Sequence, residues 1–84
     1  MQTRNIVVND DVYVMVCTSE NTRTGFAHRC FITRNGFEIA KGRCGYFNRT
    51  WEPYQYHSVM CEAISKVADK EVAKALKEFV DSAR

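Results

Sequence analysis

The sequence predicts an α+β domain, a three- or four-stranded antiparallel β-meander followed by a C-terminal helix that breaks near residue 69. Three observations carry that prediction. The first two-thirds of the 84 residues fall into β-branched and aromatic runs of strand length, separated by turn formers. Asn35-Gly36 stands between two of those runs, and both central positions of a type I′ hairpin turn need positive φ. From Pro53 onward the apolar residues recur at helical spacing, in two stripes that do not line up.

The chain reads as one domain over residues 1–84, with sheet over 4–48 and helix over 53–83. Val12 to Cys17 is a strand bounded by Asn9-Asp10-Asp11 and Ser19-Glu20-Asn21. Ile6-Val7-Val8 is either a short extra strand or the start of the same one, joined by a bulge. Thr24 to Arg34 is the next strand, and Phe37 to about Phe47 follows the turn. A two-residue loop sets Arg34 opposite Phe37, Ile32 opposite Ile39, Cys30 opposite Lys41 and His28 opposite Arg43. Ile32 and Ile39 look buried near the turn, whereas Ala27 and Cys44 look buried further away on the other parity. That change of parity predicts a bulge, placed at Lys41-Gly42. One face then meets a helix and the other exposes Arg29 and Arg43.

Pro53 suits a first helical position, where its missing N–H leaves nothing unsatisfied. Trp51 and Tyr56 would then occupy the two positions of a hydrophobic staple. Tyr56, Met60, Ala63, Ile64 and Val67 form the first stripe. Val72, Leu76, Phe79 and Ala83 form the second, turned about 160° from the first on one helical count. A single straight helix cannot bury both in one core. Either the chain breaks near Ala68-Asp69, with Asp69 capping a second helix, or the helix continues and Val72, Leu76 and Phe79 meet a second copy in a homodimer.

Composition narrows the function. At 45% hydrophobic the chain is an ordinary globular one, with no apolar run of membrane-spanning length, so no membrane partner is expected. Its N-terminus lacks a signal-peptide pattern. The expected location is the cytoplasm, where Cys17, Cys30, Cys44 and Cys61 read as small buried thiols. Residues 1–51 carry seven Lys/Arg against four Asp/Glu, and residues 52–84 five against six. That is a mild bias toward an anionic partner for the sheet half.

No catalytic signature stands out. His28 and Cys30 share a strand face, and His57 and Cys61 share a helix face, a set that two-Cys, two-His zinc coordination could use. The spacing matches no established finger, so neither a metal nor any other cofactor is expected. A Cys–His nucleophile pair would need an orienting third group and an oxyanion hole, which the sequence does not supply. Asp10-Asp11 reads as a turn, and Glu71, Glu78 and Asp81 as solvated helix charges. Nucleic-acid binding has more in its favour: Arg23, Arg29, Arg34, Lys41, Arg43 and Arg49 lie on or beside the sheet, and Tyr46, Phe47 or Tyr54 could stack on unpaired bases.

The segment Ile32 to Arg43, followed by Tyr46-Phe-Asn-Arg-Thr-Trp-Glu-Pro-Tyr-Gln-Tyr-His-Ser-Val59, resembles a group of small uncharacterised proteins encoded by bacteriophages and prophages of Gram-positive hosts. Their shared pattern runs from a hairpin through lysine-glycine and tyrosine to asparagine-arginine-threonine-tryptophan-glutamate, an aromatic residue and valine. The match covers roughly residues 30–64. The resemblance implies a phage or mobile-element origin and a non-enzymatic accessory role, and it transfers no catalytic residue. The expected function is therefore a non-catalytic module that binds a host or phage protein. The alternative is a DNA- or RNA-binding accessory protein using the basic sheet face. Arg29, Arg43, Asn48, Arg49 and Tyr54 are the candidate interaction residues in either case.

Overall fold

The computed structural model describes residues 2–23, 25–46 and 56–82. Four antiparallel strands form one sheet in chain order, β1 (Gln2–Val8), β2 (Asp11–Asn21), β3 (Phe26–Arg34) and β4 (Phe37–Tyr46). Two helices follow, α1 (His57–Ile64) and α2 (Lys70–Ser82). The fold is thus α+β, with the extra N-terminal strand present and the helical part in two pieces. Among the described residues no helix is long and apolar enough to cross a membrane. Of the expected staple, Trp51 and Pro53 lie outside the described residues, and Tyr56 is the N-cap residue of α1 and not its fourth helical position.

Two tight turns set the register. Asn35 and Gly36 have φ of 49° and 90°, and Asn9 and Asp10 have φ of 50° and 69°, so both hairpins turn through positive φ at both central positions. Asn-Asp at the first turn explains why β1 is a separate strand and not a bulged start of β2. Asp11 then ties the two turns together. Its carboxylate accepts from Arg34 Nε and Nη2 at 3.0 and 2.7 Å and from Asn35 Nδ2 at 2.8 Å. Asn35 Oδ1 in turn accepts the Val12 N–H at 2.9 Å.

The bulge lies nearer the turn than expected. Thr33 pairs with Glu38 and Ile32 with Ala40, leaving Ile39 as the extra residue. Cys30 therefore faces Gly42 and His28 faces Cys44, in place of Lys41 and Arg43. The physical reason is the helix that must sit there. This register puts Ala40, Gly42 and Cys44 beneath it and sends Lys41 and Arg43 to solvent, at the expense of leaving Ile39 39% exposed.

Gly42 sets how closely that helix approaches. A Cβ at Gly42 would stand 2.6 Å from the backbone N of Ala63 and 3.1 Å from its Cα. The glycine marks a close backbone approach, the other meaning of a strand glycine. The row beneath α1 is small throughout, Cys17 opposite Cys30 opposite Gly42. Cys17 and Cys30 are buried free thiols, as expected, whereas Cys44 and Cys61 are half-buried free thiols. The hydrogen bond with Cys17, and then burial, hold the Cys30 thiol well above the ordinary range.

The core lies between sheet and helices. Tyr13, Met15, Cys17, Cys30, Ile32 and Ala40 supply the sheet side, and Val59, Met60, Ala63, Ile64 and Val67 the α1 side. The chain breaks where the two stripes part. Ser65 to Val67 close α1 with backbone bonds of 3.0 Å to Cys61, Ala63 and Ile64. Asp69 Oδ1 accepts from the N–H groups of Glu71 and Val72 at 3.0 and 3.3 Å, an N-cap for α2. Val72 and Leu76 of the second stripe then return to the same core, joined by Val80, which the stripe did not include, with Phe79 packed against it; Ala83 lies outside the described residues. Val72 and Leu76 are thus used within the chain, and the continuous helix on which the dimer expectation depended does not form.

Gly42→Ala is expected to destabilise the domain by about 1–3 kcal/mol through overpacking. Gly45→Ala, where a Cβ meets only Arg43 Nη1 at 3.8 Å, should stay within about 0.5 kcal/mol; urea titration of both checks the contrast. Asp69→Ala should lower stability by about 1 kcal/mol, seen as a lower urea midpoint at an unchanged slope.

Candidate interaction surface

Strand alternation gives the sheet one face covered by the helices and one face that no element among the described residues covers. On the uncovered face Val7 lies opposite Val12, Val14 lies between Asn5 and Thr33, and Val16 lies between Thr3 and Phe31. Lys41 follows Phe31 across the sheet, and Arg43 follows Arg29. Val7 is 66% and Val12 44% exposed, while Val14, Val16 and Phe31 are half-buried. The face therefore runs from an apolar band near the two turns to a basic end at Arg29, Lys41 and Arg43. Phe37, beside the Asn35-Gly36 turn, is 78% exposed.

Arg29 and Arg43 come together as directly opposed cross-strand neighbours. Like charges so placed repel. Glu20 Oε1 lies 2.8 Å from Arg29 Nη2 and offsets that charge. Among the described residues no ion pair neutralises Arg43 or Lys41. Of the other sequence candidates, Asn48, Arg49, Tyr54, Phe47 and the side chain of Tyr46 lie outside the described residues. Arg34 is committed to Asp11.

Two polar clusters occupy the helical side. At the entry to α1, Ser19 Oγ lies 2.6 Å from His28 Nδ1 and 2.9 Å from the Tyr56 hydroxyl. The His28 ring stands 5.0 Å from that of Phe26 and 4.9 Å from that of Tyr56. His28 is only 2% exposed, and burial lowers its pKa below the ordinary 6.5 by disfavouring the imidazolium. The trio ties the start of α1 to β2 and β3, as expected for an aromatic opening the sheet-facing stripe.

The second cluster joins α1 to α2. His57 Nε2 lies 2.9 Å from Asp81 Oδ1. Lys77 Nζ donates to both Asp81 oxygens at 2.9 and 2.8 Å. Cys61 Sγ lies 3.9 and 3.8 Å from the two His57 ring nitrogens. Hydrogen bonds from Lys77 and His57 hold the Asp81 carboxyl below its ordinary range. The sequence-level zinc set is thereby revised. His57 and Cys61 gather with Asp81, and not with the sheet pair His28 and Cys30. Nothing in the sequence marked Asp81, because its proximity arises from α2 folding back along α1.

No family model, no curated protein and no solved structure matches the chain.

The buried His28 gives the domain a pH dependence with a definite sign. Its folded-state pKa is lowered from 6.5, so on acidification the unfolded chain takes up a proton first. The stabilisation is full above the unfolded value and is lost as the pH falls through the folded one. Unfolding free energy should decline between about pH 7 and pH 5, within the imidazole titration range. His28→Gln should flatten that decline, as read from urea titrations across the range.

Proposed function

We propose that this protein is a non-catalytic interaction module whose uncovered sheet face binds another protein. The observation that carries this reading is the band Val7, Val12, Val14, Val16 and Phe31, which no described element covers, opposite the helices and ending at Arg43 and Lys41. β-Branched apolar side chains in a contiguous, partly solvent-exposed band favour a protein surface over stacked bases. Lys41 and Arg43, outside any described ion pair, favour a partner whose apolar patch is rimmed by carboxylates. The phage or mobile-element setting, and with it a host or phage protein as the partner, rests on the resemblance of residues 30–64 alone.

Binding to DNA or RNA is the competing reading, and it rests on the same Arg29, Lys41 and Arg43. It is weaker on two counts. Arg29 is already paired with Glu20, and Phe31 is the single aromatic in the cross-strand rows traced on that face, where single-strand binders stack several bases.

A photo-crosslinking residue installed at Val7 or Val12, set against one on the exposed Lys74 of α2, distinguishes the surfaces. The expected result is a discrete protein adduct from the sheet positions alone, lost on adding Arg43→Glu. Adducts from Lys74 alone, or adducts indifferent to Arg43→Glu, would reject the reading. If the chain instead binds random-sequence DNA at low salt, with affinity falling steeply as salt rises, the nucleic-acid reading replaces it.

A further inference from the structure

We propose that His57, Cys61 and Asp81 form a binding site for one Zn2+-class divalent cation, which clips α1 to α2. The three side chains offer one ligand atom each, and those atoms all lie within 4.8 Å of one another. Imidazole, thiolate and carboxylate are the donor types that zinc takes, and three protein ligands leave a fourth position for water.

The distances suit a tetrahedral ion. Zinc bonds of about 2.3 Å to sulfur and about 2.0–2.2 Å to nitrogen or oxygen put tetrahedral S···N and N···O edges at about 3.6 and 3.4 Å. The site has Cys61 Sγ 3.8 Å from His57 Nε2, and Nε2 2.9 Å from Asp81 Oδ1. Those two edges lie within about half an ångström of the tetrahedral values. The third, from Cys61 Sγ to the Asp81 carboxylate, is no longer than 4.8 Å, so closing it to about 3.6 Å takes side-chain movements of up to about 1 Å. Each ligand is also placed by the fold. His57 and Cys61 stand four residues apart on α1, so they share a helix face. Asp81 comes from the last turn of α2, which returns beside α1 because Val72, Leu76 and Val80 are buried in the core.

Lys77 has a specific part in this arrangement. Its ammonium sits on both carboxylate oxygens, 2.9 Å from Oδ1 and 2.8 Å from Oδ2. With the metal on Asp81 Oδ1, Lys77 retains Oδ2 and orients the carboxylate as an outer-sphere partner. On binding, the Cys61 thiol gives its proton to solvent, and the neutral imidazole uses Nε2.

The test is titration of the reduced full-length chain with Zn2+, and with Co2+ as a spectroscopic probe. The expected result is one ion per chain and a thiolate-to-cobalt charge-transfer band. Cys61→Ser should remove the band, and Asp81→Asn, at an exposed position that leaves the core intact, should weaken binding at least tenfold. Cys44→Ser should leave both band and affinity unchanged. The proposal fails if the wild-type chain binds no ion, if stoichiometry is one ion per two chains, or if Asp81→Asn binds as tightly as wild type.

Discussion

The contact between Gly42 of β4 and Ala63 of α1 is the constraint on which the rest of this structure depends. The helix backbone comes so near the strand that an added Cβ would stand 2.6 Å from the Ala63 nitrogen, so only glycine allows the seat. Two things follow. One extra residue must precede Gly42 for it to pair with Cys30 and face the helix, and Ile39 is that residue. The row under the helix must be small, and Cys17 and Cys30 make it so. With α1 held down on β3 and β4, α2 turns back toward β1 and buries the second stripe.

That arrangement explains the two-sided character of the sheet. Both helices pack on one face, and the bulge sends Lys41 and Arg43 to the other. The uncovered face is then a continuous surface of valines and Phe31 ending in cations, on a scaffold whose two hairpin turns are pinned together by Asp11. The helical side holds the chemistry-bearing side chains that the sheet surface lacks. His28 is locked beneath Tyr56 at the start of α1, while His57, Cys61 and Asp81 meet where α1 and α2 touch. The proposed interaction surface and the proposed metal clip therefore occupy opposite sides of the domain.

Most of the fold was legible from local chemistry. Asn35-Gly36 announced a turn whose two residues do take positive φ, and Asp69 announced a cap that does accept the Glu71 and Val72 amides. The misaligned stripes announced the break, since one rod cannot bury two opposed faces. What local chemistry did not reveal was the choice between meanings. A strand glycine signals either a bulge or a close approach, and at Gly42 the answer lay in Ala63, which is remote in sequence. Asn9-Asp10 was read as a boundary because Asp is a weaker turn signal than Gly at that position. Asp81 looked like any solvated helix charge, and its place beside His57 depends on how two helices dock. On the candidate surface, Arg29 and Arg43 were placed on the exposed face from alternation together with the expected bulge. The valine band beside them emerged only once four strands were aligned.

The seat of α1 on Gly42 is open to direct observation in solution. Nuclear Overhauser contacts from the Gly42 α-protons, measured on isotope-labelled protein, report which helix atoms lie above that strand. Strong contacts to the Ala63 amide and α-proton are expected, with Ile39 showing none to α1. Absence of the Gly42–Ala63 contacts, or Ile39 contacts to Ala63 in their place, would mean that the bulge and the helix seat are elsewhere, and that Lys41 and Arg43 do not belong to the uncovered face.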